Sequence, residues 1–370
     1  MARELFAGVM SGTSLDGVDA VVADFAPADG KVCATLGAVH VAYPSLLRDE
    51  LLALQQPGAN ELARAGAAAN ILAELYADAI VRALDAAKLE PTDVQAAGVH
   101  GQTLRHQPDR GFTVQLSNPA RVVEKAGVVV VADFRSRDVA AGGQGAPLVP
   151  AFHRALFGGS GKHRVVVNVG GIANITDLRA DGSVLGFDTG PGNVLSDLWC
   201  ARNRGSPFDA QGAWAATGKV NGRLLDALLT DPFFSAPPPK STHRDKFNLQ
   251  WLDDRLAAAH VDDEAENIQA TLVALTARTI ADAIRAYAAD AQEVLVCGGG
   301  ANNATLMKDL AAELAPRRVG STAEEGVPVE QVEPLAFAWL ARETLAGRPG
   351  NLPEVTGAKG PRVLGAIYPR

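Results

Sequence analysis

The sequence predicts an α/β protein built from two similar domains, and three observations carry that prediction. Its 370 residues are enough for two well-buried cores. Three strands in a row open the chain, at 5–10, 18–22 and 31–41, with a polar, glycine-containing turn between the first two. From residue 164 the same order begins again, with strands at 164–169, 175–178 and 184–187 and Gly170-Gly171 in the first turn. A supersecondary unit repeated in two halves predicts two like domains facing each other across a cleft, each presenting its turn to one ligand.

Bulk composition narrows the function classes. Apolar residues are 47% and charged residues 21% of the chain, as in a soluble globular protein. A net charge of −8 and a pI near 5.4 argue against general nucleic-acid binding. They do not exclude an anionic small ligand, because backbone N–H nests hold phosphate against the net charge. Cys33, Cys200 and Cys297 stand far apart without metal-finger spacing, which reads as reduced thiols of a cytoplasmic protein. Neither a charged leader with a long apolar core nor a membrane-length apolar run is seen, so no membrane role is expected.

The first turn is unusual in content. Gly12, Thr13 and Ser14 offer successive N–H groups and two hydroxyls, while Asp16 and Asp19 bring carboxylates close by. Such groups suit phosphate oxygens and a hydrated Mg²⁺. An ordinary hairpin whose polar residues cap its own backbone is the equal alternative. Helical spacing follows at 46–54 and 61–84, the second with Leu62, Ala65, Ala69, Leu72, Leu75, Ala79 and Leu84 on one apolar face. A buried strand at 94–99 then delivers His100-Gly101-Gln102-Thr103 at its carboxyl end, where α/β folds place ligand contacts. A strand at 112–116, a helix from Pro119 and a strand at 128–132 complete the first set.

Two arginines and two aspartates crowd 133–138, either as a solvated cluster, the commoner case, or as a sugar or phosphate contact. The glycine-rich 140–147 suits a hinge or ligand loop. In the second half, Asp188 ends the third strand before Thr189-Gly190-Pro191-Gly192-Asn193. A carboxylate there is often a helix cap, but Asn193 is a good cap for the helix from Val194, which leaves Asp188 to accept a proton. The aromatics at 199–214 are expected in the core, and the proline-rich 232–248 is expected to be an ordered surface loop. A long amphipathic helix at 268–288 leads to a strand at 293–297, then Gly298-Gly299-Gly300-Ala301-Asn302-Asn303 and a helix at 305–314.

That triple glycine is a poor dinucleotide fingerprint, because Asn303 replaces the third required glycine and the element comes late. A Walker loop is absent too, since Gly161-Lys162 is followed by His163. The glycines would let the backbone approach a flat group such as an adenosine, unless they make only a tight turn. Glu333 opens an apolar helix at 334–345, most simply as a first-turn carboxylate complementing the dipole, and 363–368 is a closing strand.

Six strings together carry a specific resemblance: Met10-Ser11-Gly12-Thr13-Ser14-Leu15-Asp16-Gly17, His100-Gly101-Gln102-Thr103, Asp133-Phe134-Arg135, Gly142-Gly143-Gln144-Gly145-Ala146-Pro147-Leu148, Phe187-Asp188-Thr189-Gly190-Pro191-Gly192-Asn193 and Cys297-Gly298-Gly299-Gly300. The chain resembles, over nearly its whole length, the anhydro-N-acetylmuramic acid kinases of the sugar-kinase, actin and heat-shock-chaperone ATPase superfamily. Family members often have Cys where Thr189 stands.

The resemblance implies two actin/hexokinase-like (ribonuclease H-like) domains, one of residues 1–137 plus 356–370 and one of 138–355. It implies a homodimer that uses ATP and Mg²⁺ to open the 1,6-anhydro ring of anhydro-N-acetylmuramic acid with water and phosphorylate the freed 6-oxygen. Gly12, Thr13, Ser14, Leu15, Asp16, Gly17, Val18 and Asp19 would hold phosphates, with Asp16 near Mg²⁺ through water. Gly170, Gly171 and Asn174 would form the second phosphate turn, and Gly298, Gly299 and Gly300 would cover the adenosine. The sugar would lie against His100, Gln102, Arg135, Asp138 and Glu333, with Asp188 as the base that activates water. Two other classes stay open: a kinase of another sugar, and a non-enzymatic nucleotide switch.

Overall fold

The computed structural model describes residues 3–12, 15–27, 32–159, 161–242 and 246–370. The chain divides into two compact units, 1–156 with 331–370, and 157–330. The first unit starts with β1 (Leu5–Met10), β2 (Gly17–Asp24) and β3 (Ala34–Ala42), a fully antiparallel meander. β4 (Ala96–Val99) then lies parallel to β1, β5 (Gln102–Gln107) and β6 (Phe112–Leu116) form a separate hairpin, and β7 (Val130–Ala132) lies parallel to β4. Gln102 and Thr103, expected at the carboxyl end of the preceding strand, start β5.

The second unit repeats the plan. β8 (Arg164–Val169), β9 (Ile172–Leu178) and β10 (Val184–Pro191) are an antiparallel meander, and β11 (Glu293–Cys297) and β12 (Arg318–Ser321) add in parallel beyond β8. The chain then returns to the first unit through the helix Val332–Leu345 and β13 (Ala366–Tyr368), which pairs antiparallel with β7. Among the described residues the sheets run β13-β7-β4-β1-β2-β3 and β10-β9-β8-β11-β12. Each contains the ribonuclease H-like order third, second, first, fourth, fifth, so the repeated unit expected from the strand pattern is present in both halves.

Burial explains the elements. In the first unit β1 is buried along its whole length and β2 nearly so, because helices cover both faces of the sheet. On one side the helix Glu61–Ala87 packs Leu72, Tyr76, Ile80 and Leu84 into the core with Val9, Val18 and Val99. Leu62, expected on that apolar face, is 90% exposed, since it sits in the first turn before the helix meets the sheet.

The helix Val332–Leu345 crosses so near β1 and β4 that a Cβ on Gly8 would lie 1.9 Å from the Pro334 carbonyl oxygen. One on Gly98, the register partner of Gly8, would lie 2.0 Å from that of Phe337. This packing is why 331–355 groups with the first unit and not, as expected, with the second. Residues 138–156 also group there, because Asp138 hydrogen-bonds Asn351 and Thr356.

In the second unit the helices Ala265–Tyr287 and Ala304–Leu314 bury one face of the sheet through Val165, Val167, Ile175, Ile280, Ile284, Val294 and Leu310. A smaller cluster joins Trp199, Leu224, Phe247 and Leu252, drawing on the helices Gly222–Leu229 and Leu249–Ala258. Trp199 is in the core as its composition suggests, whereas Phe208 is 58% exposed.

Candidate active site

In the first unit the turn between β1 and β2 is fixed from beneath. Thr13 and Ser14 lie outside the described residues. Around them, Leu15 takes a left-handed φ of 55° and buries its side chain, while the Asp16 carbonyl accepts from Tyr43 N–H at 3.0 Å. Asp16 is exposed, and its carboxylate accepts from Gly17 N–H at 2.9 Å. Val18 is buried in the core. Asp19 sits opposite His40 across β2 and β3, with Oδ1 2.9 Å from His40 Nδ1.

Gln102 is 1% exposed and donates from Nε2 to the Gly12 carbonyl at 3.1 Å, while its Oε1 accepts from Tyr43 O–H at 3.0 Å. Ser11 bonds the buried Tyr76 hydroxyl at 2.8 Å and donates to the Gly101 carbonyl. Gln102 of β5 and Tyr76 of the helix Glu61–Ala87 therefore hold the two residues preceding the turn.

His100 extends this network. Its Nδ1 lies 3.3 Å from the Ser11 carbonyl, which can only accept, so Nδ1 carries the proton. Nε2 is then the acceptor for Arg135, at 3.1 Å from Nε and 2.9 Å from Nη2. Burial holds this imidazole well below its usual basicity, and the Arg135 charge pushes the same way. Neutral His100 thus orients Arg135, whose Nη1 donates to the Gly145 carbonyl at 2.8 Å.

Asp138 is not placed to touch a sugar. It is fully buried, with Oδ2 accepting from Gly145 N–H at 2.8 Å and Oδ1 from Asn351 Nδ2 at 2.7 Å and Thr356 Oγ1 at 2.8 Å. The same contacts pin the glycine-rich loop, expected as a hinge or a ligand loop, against hinging. Gly143 N–H bonds the Asp138 carbonyl, and Gln144 N–H the Thr356 carbonyl. Glu333 is partly buried in the first turn of the helix Val332–Leu345, and Phe337 of that helix lies against His100 with ring centroids 4.7 Å apart.

The second unit assembles its residues differently. The carbonyl of Gly170 accepts from Asn193 N–H at 2.8 Å, and that of Gly171 from Gly192 N–H at 2.9 Å and Val194 N–H at 3.2 Å. The turn is therefore tied by backbone bonds to the start of the helix Val194–Arg204. Gly192 is required, since a Cβ there would lie 2.3 Å from the Gly170 oxygen. Asn193 occupies the N-cap position of that helix but makes no capping bond. Its amide donates instead to the Val169 carbonyl at 3.3 Å.

Register brings Asp188, Asn174, Asn168 and Cys297 side by side across four strands. The residues preceding them, Phe187, Ala173, Val167 and Val296, fill the core on the other face, so these four side chains share the opposite one. A bulge between Asp188 and Gly190 interrupts the pairing just after the acid, before it resumes at Gly190.

Asp188 is partly buried, its N–H donating to the Lys240 carbonyl at 3.1 Å and its Oδ2 accepting from Thr242 N–H at 2.9 Å. Gly298, with φ of 78°, lies where a Cβ would meet Asn168 Oδ1 at 2.4 Å. Gly299 is open and Gly300 packs against Val169.

Lys240 and Thr242 lie in the proline-rich 232–248 stretch, expected as an ordered surface loop near the active site without a role for either residue, whereas Tyr43, Tyr76 and Asn168 escaped the sequence reading. For Lys240 and Thr242 a signal existed: three prolines stiffen the approach to Lys240-Ser241-Thr242. The others are ordinary core or strand residues by local sequence. Among the described residues no group of three or more His, Cys, Asp or Glu could hold a metal unaided. A single exposed carboxylate such as Asp16 fits an ion that keeps water and phosphate oxygens as its main ligands.

Residues 4–370 match the profile of the family described as anhydro-N-acetylmuramic acid kinase. The chain is 54% identical over 371 residues to the anhydro-N-acetylmuramic acid kinase of Cupriavidus pinatubonensis, covering 99% of this chain and 98% of that one. It is 56% identical over 367 residues to that of Bordetella pertussis, covering 99% and 96%. A ROK family glucokinase from Streptomyces griseus, solved with glucose and AMPPNP, aligns over 92% of this chain and 99% of its own at 14% identity. Its TM-score is 0.41, and the fold rests on the sheet order instead.

Proposed function

The chain belongs to the anhydro-N-acetylmuramic acid kinase family, and we propose that Asp188 is the base of its reaction. It is a phosphotransferase of peptidoglycan recycling that converts 1,6-anhydro-N-acetylmuramic acid, water and ATP into N-acetylmuramic acid 6-phosphate and ADP. Asp188 takes a proton from water as the water oxygen bonds to the anomeric carbon and the bond from that carbon to the 6-oxygen breaks. The 6-oxygen then attacks the γ-phosphorus, and the bond to the β-phosphate oxygen breaks. Such transfer needs alignment and charge stabilisation more than covalent help.

The single observation that carries this reading is the placement of Asp188. It is a carboxylate at a bulge, on a face shared with Asn174 and Asn168, oriented by a backbone N–H. The residues at 12–19 with Gly170, Gly171 and Asn174 would hold phosphate oxygens, and Gly298, Gly299 and Gly300 would receive the adenosine. Arg135, set by His100, and Glu333 would face the sugar. Gln102 and Asp138 would serve by positioning, the first holding Gly12 and the second the loop at Gly145. Mg²⁺ held near Asp16 through water would neutralise phosphate charge. Three buried cysteines that form no disulfide among the described residues support the cytoplasm as its location, and a homodimer follows from the resemblance.

The test has two arms. ADP release with Mg·ATP is compared for the anhydro sugar, ordinary N-acetylmuramic acid and no sugar. Release only with the anhydro sugar is expected. Equal release with the unbridged sugar would mean a plain kinase, and release without sugar a nucleotide switch. In the second arm, Asp188→Asn keeps nucleotide binding and loses turnover by several orders of magnitude. Substantial remaining turnover moves the base elsewhere.

A further inference from the structure

The described residues between 231 and 246 form a strap along the exposed edge of β10, the strand that carries Asp188. Asp231 caps its opening helical turn, Pro232–Ser235, by accepting from Phe233 N–H at 2.9 Å. Phe234 of that turn lies over Gly190, where an added Cβ would meet the ring at 2.7 Å. The turn is thus seated on β10 two residues beyond Asp188.

The strap then returns with its backbone bonded to Asp188 twice, at the amide through Lys240 O and at the carboxylate through Thr242 N–H. Among the described residues, the side chain of Lys240 fixes the returning arm to the seated turn. Lys240 Nζ donates to the carbonyls of Phe233 at 2.9 Å and Phe234 at 3.0 Å. It also lies 4.8 Å from the Phe233 ring centroid and 5.7 Å from that of Phe187, the residue before the acid.

We propose that Lys240 is a positioning residue for the reaction: its ammonium clamps the strap closed so that Thr242 N–H holds the Asp188 carboxylate in its working orientation. The inference rests on the reading of Asp188 as the base. A surface lysine would place its charge in water. This one is half-buried, and burial lowers its basicity while the Asp188 charge raises it, which puts the two groups within electrostatic reach. Lys246 acts on Lys240 in the lowering direction, but its own ammonium is bonded to Asp231 at 2.9 Å. Among the described residues, Lys240, Lys246 and Asp231 are therefore the charged groups of the strap near Asp188, and Asn174 and Asn168 are neutral neighbours on the sheet.

The test reads kcat, KM for ATP and the acid limb of the pH profile for wild type, Asp188→Asn, Lys240→Met and Lys240→Arg. Loosening the base by about an ångström is expected to cost about 10- to 100-fold in kcat, with KM for ATP unchanged. Removing a nearby cation makes the carboxylate easier to protonate, so the acid limb of Lys240→Met moves to higher pH. Lys240→Arg, which also reaches two carbonyls and stacks on aromatic rings, restores most of kcat and the wild-type limb.

A folded Lys240→Met with wild-type kcat and limb overturns the inference while an inactive Asp188→Asn leaves the base in place. Loss confined to KM for ATP overturns it as well. Turnover surviving in Asp188→Asn removes the base and the inference with it. If Lys240→Met does not fold, Lys240→Gln is read by the same criteria.

Discussion

Asp138→Ala separates a sugar contact from a structural tie. The carboxylate is fully buried and accepts three hydrogen bonds, from Gly145 N–H, Asn351 Nδ2 and Thr356 Oγ1, all between 2.7 and 2.8 Å. Alanine leaves three donors dry, and each such donor costs about 1–3 kcal/mol. Partial relaxation and entry of water reduce the sum, so the expected loss is about 3–5 kcal/mol. For a unit of this size, each kcal/mol moves the melting temperature by about 2–4 °C, which gives a drop of roughly 10 °C.

Urea and thermal unfolding followed by circular dichroism measure the loss, and steady-state kinetics measure the KM for sugar on protein that remains folded. Asp138→Asn keeps one acceptor but turns an NH₂ toward these donors, so a smaller loss of the same kind is expected. Stability within about 1 kcal/mol of wild type, combined with a raised KM for the sugar, would refute the structural assignment and return Asp138 to the sugar site.

Two further outcomes follow from burial. Gly98→Val forces side-chain atoms into the Phe337 carbonyl and is expected to destabilise the first unit by about 3 kcal/mol or more, read as a lowered unfolding midpoint. A neutral effect would mean that the helix Val332–Leu345 does not cross there. Burial also holds His100 well below the ordinary value of 6.5, and His153 at about 3. Between 6.5 and those lower values the unfolded chain binds more protons, so the contribution is intact above 6.5. It is lost as pH falls, at about 1.4 kcal/mol per unit for each ring. Unfolding free energies at several pH values check this, and His153→Gln should flatten the slope; an unchanged slope would refute it.

What could be read in the sequence was what local pattern encodes. Two meanders with glycine turns were visible because alternating apolar runs and turn residues are short-range signals, as at 5–10 and 164–169. The partners of the site residues were not visible, since Gln102 to Gly12 and Asp138 to Thr356 are contacts between distant positions. Asp138 shows the cost: beside Arg135 and Arg137 it reads as part of an exposed charged cluster, and only Asn351 and Thr356, more than two hundred residues on, make it a buried acceptor. Domain assignment failed at 331–355 for the same reason, because the fit of that helix depends on Gly8 and Gly98, which the helix's own sequence does not mention.

The two halves share a topology but fix their turns by different means. In the first unit, side chains hold the chain leading into the turn: Gln102 on Gly12, and His100 and Tyr76 on Ser11. Each can be exchanged by mutation, and each links the turn to another candidate contact, as His100 does to Arg135. In the second unit the turn is tied by backbone bonds from Gly192, Asn193 and Val194, which no substitution of a neighbouring side chain removes. The side chain that can be altered there is Lys240, and it acts on Asp188 instead of the turn. The strap, with its aromatic seat and the Lys240 ammonium, therefore acts on the orientation of the acid and leaves the glycine turn to its own backbone bonds.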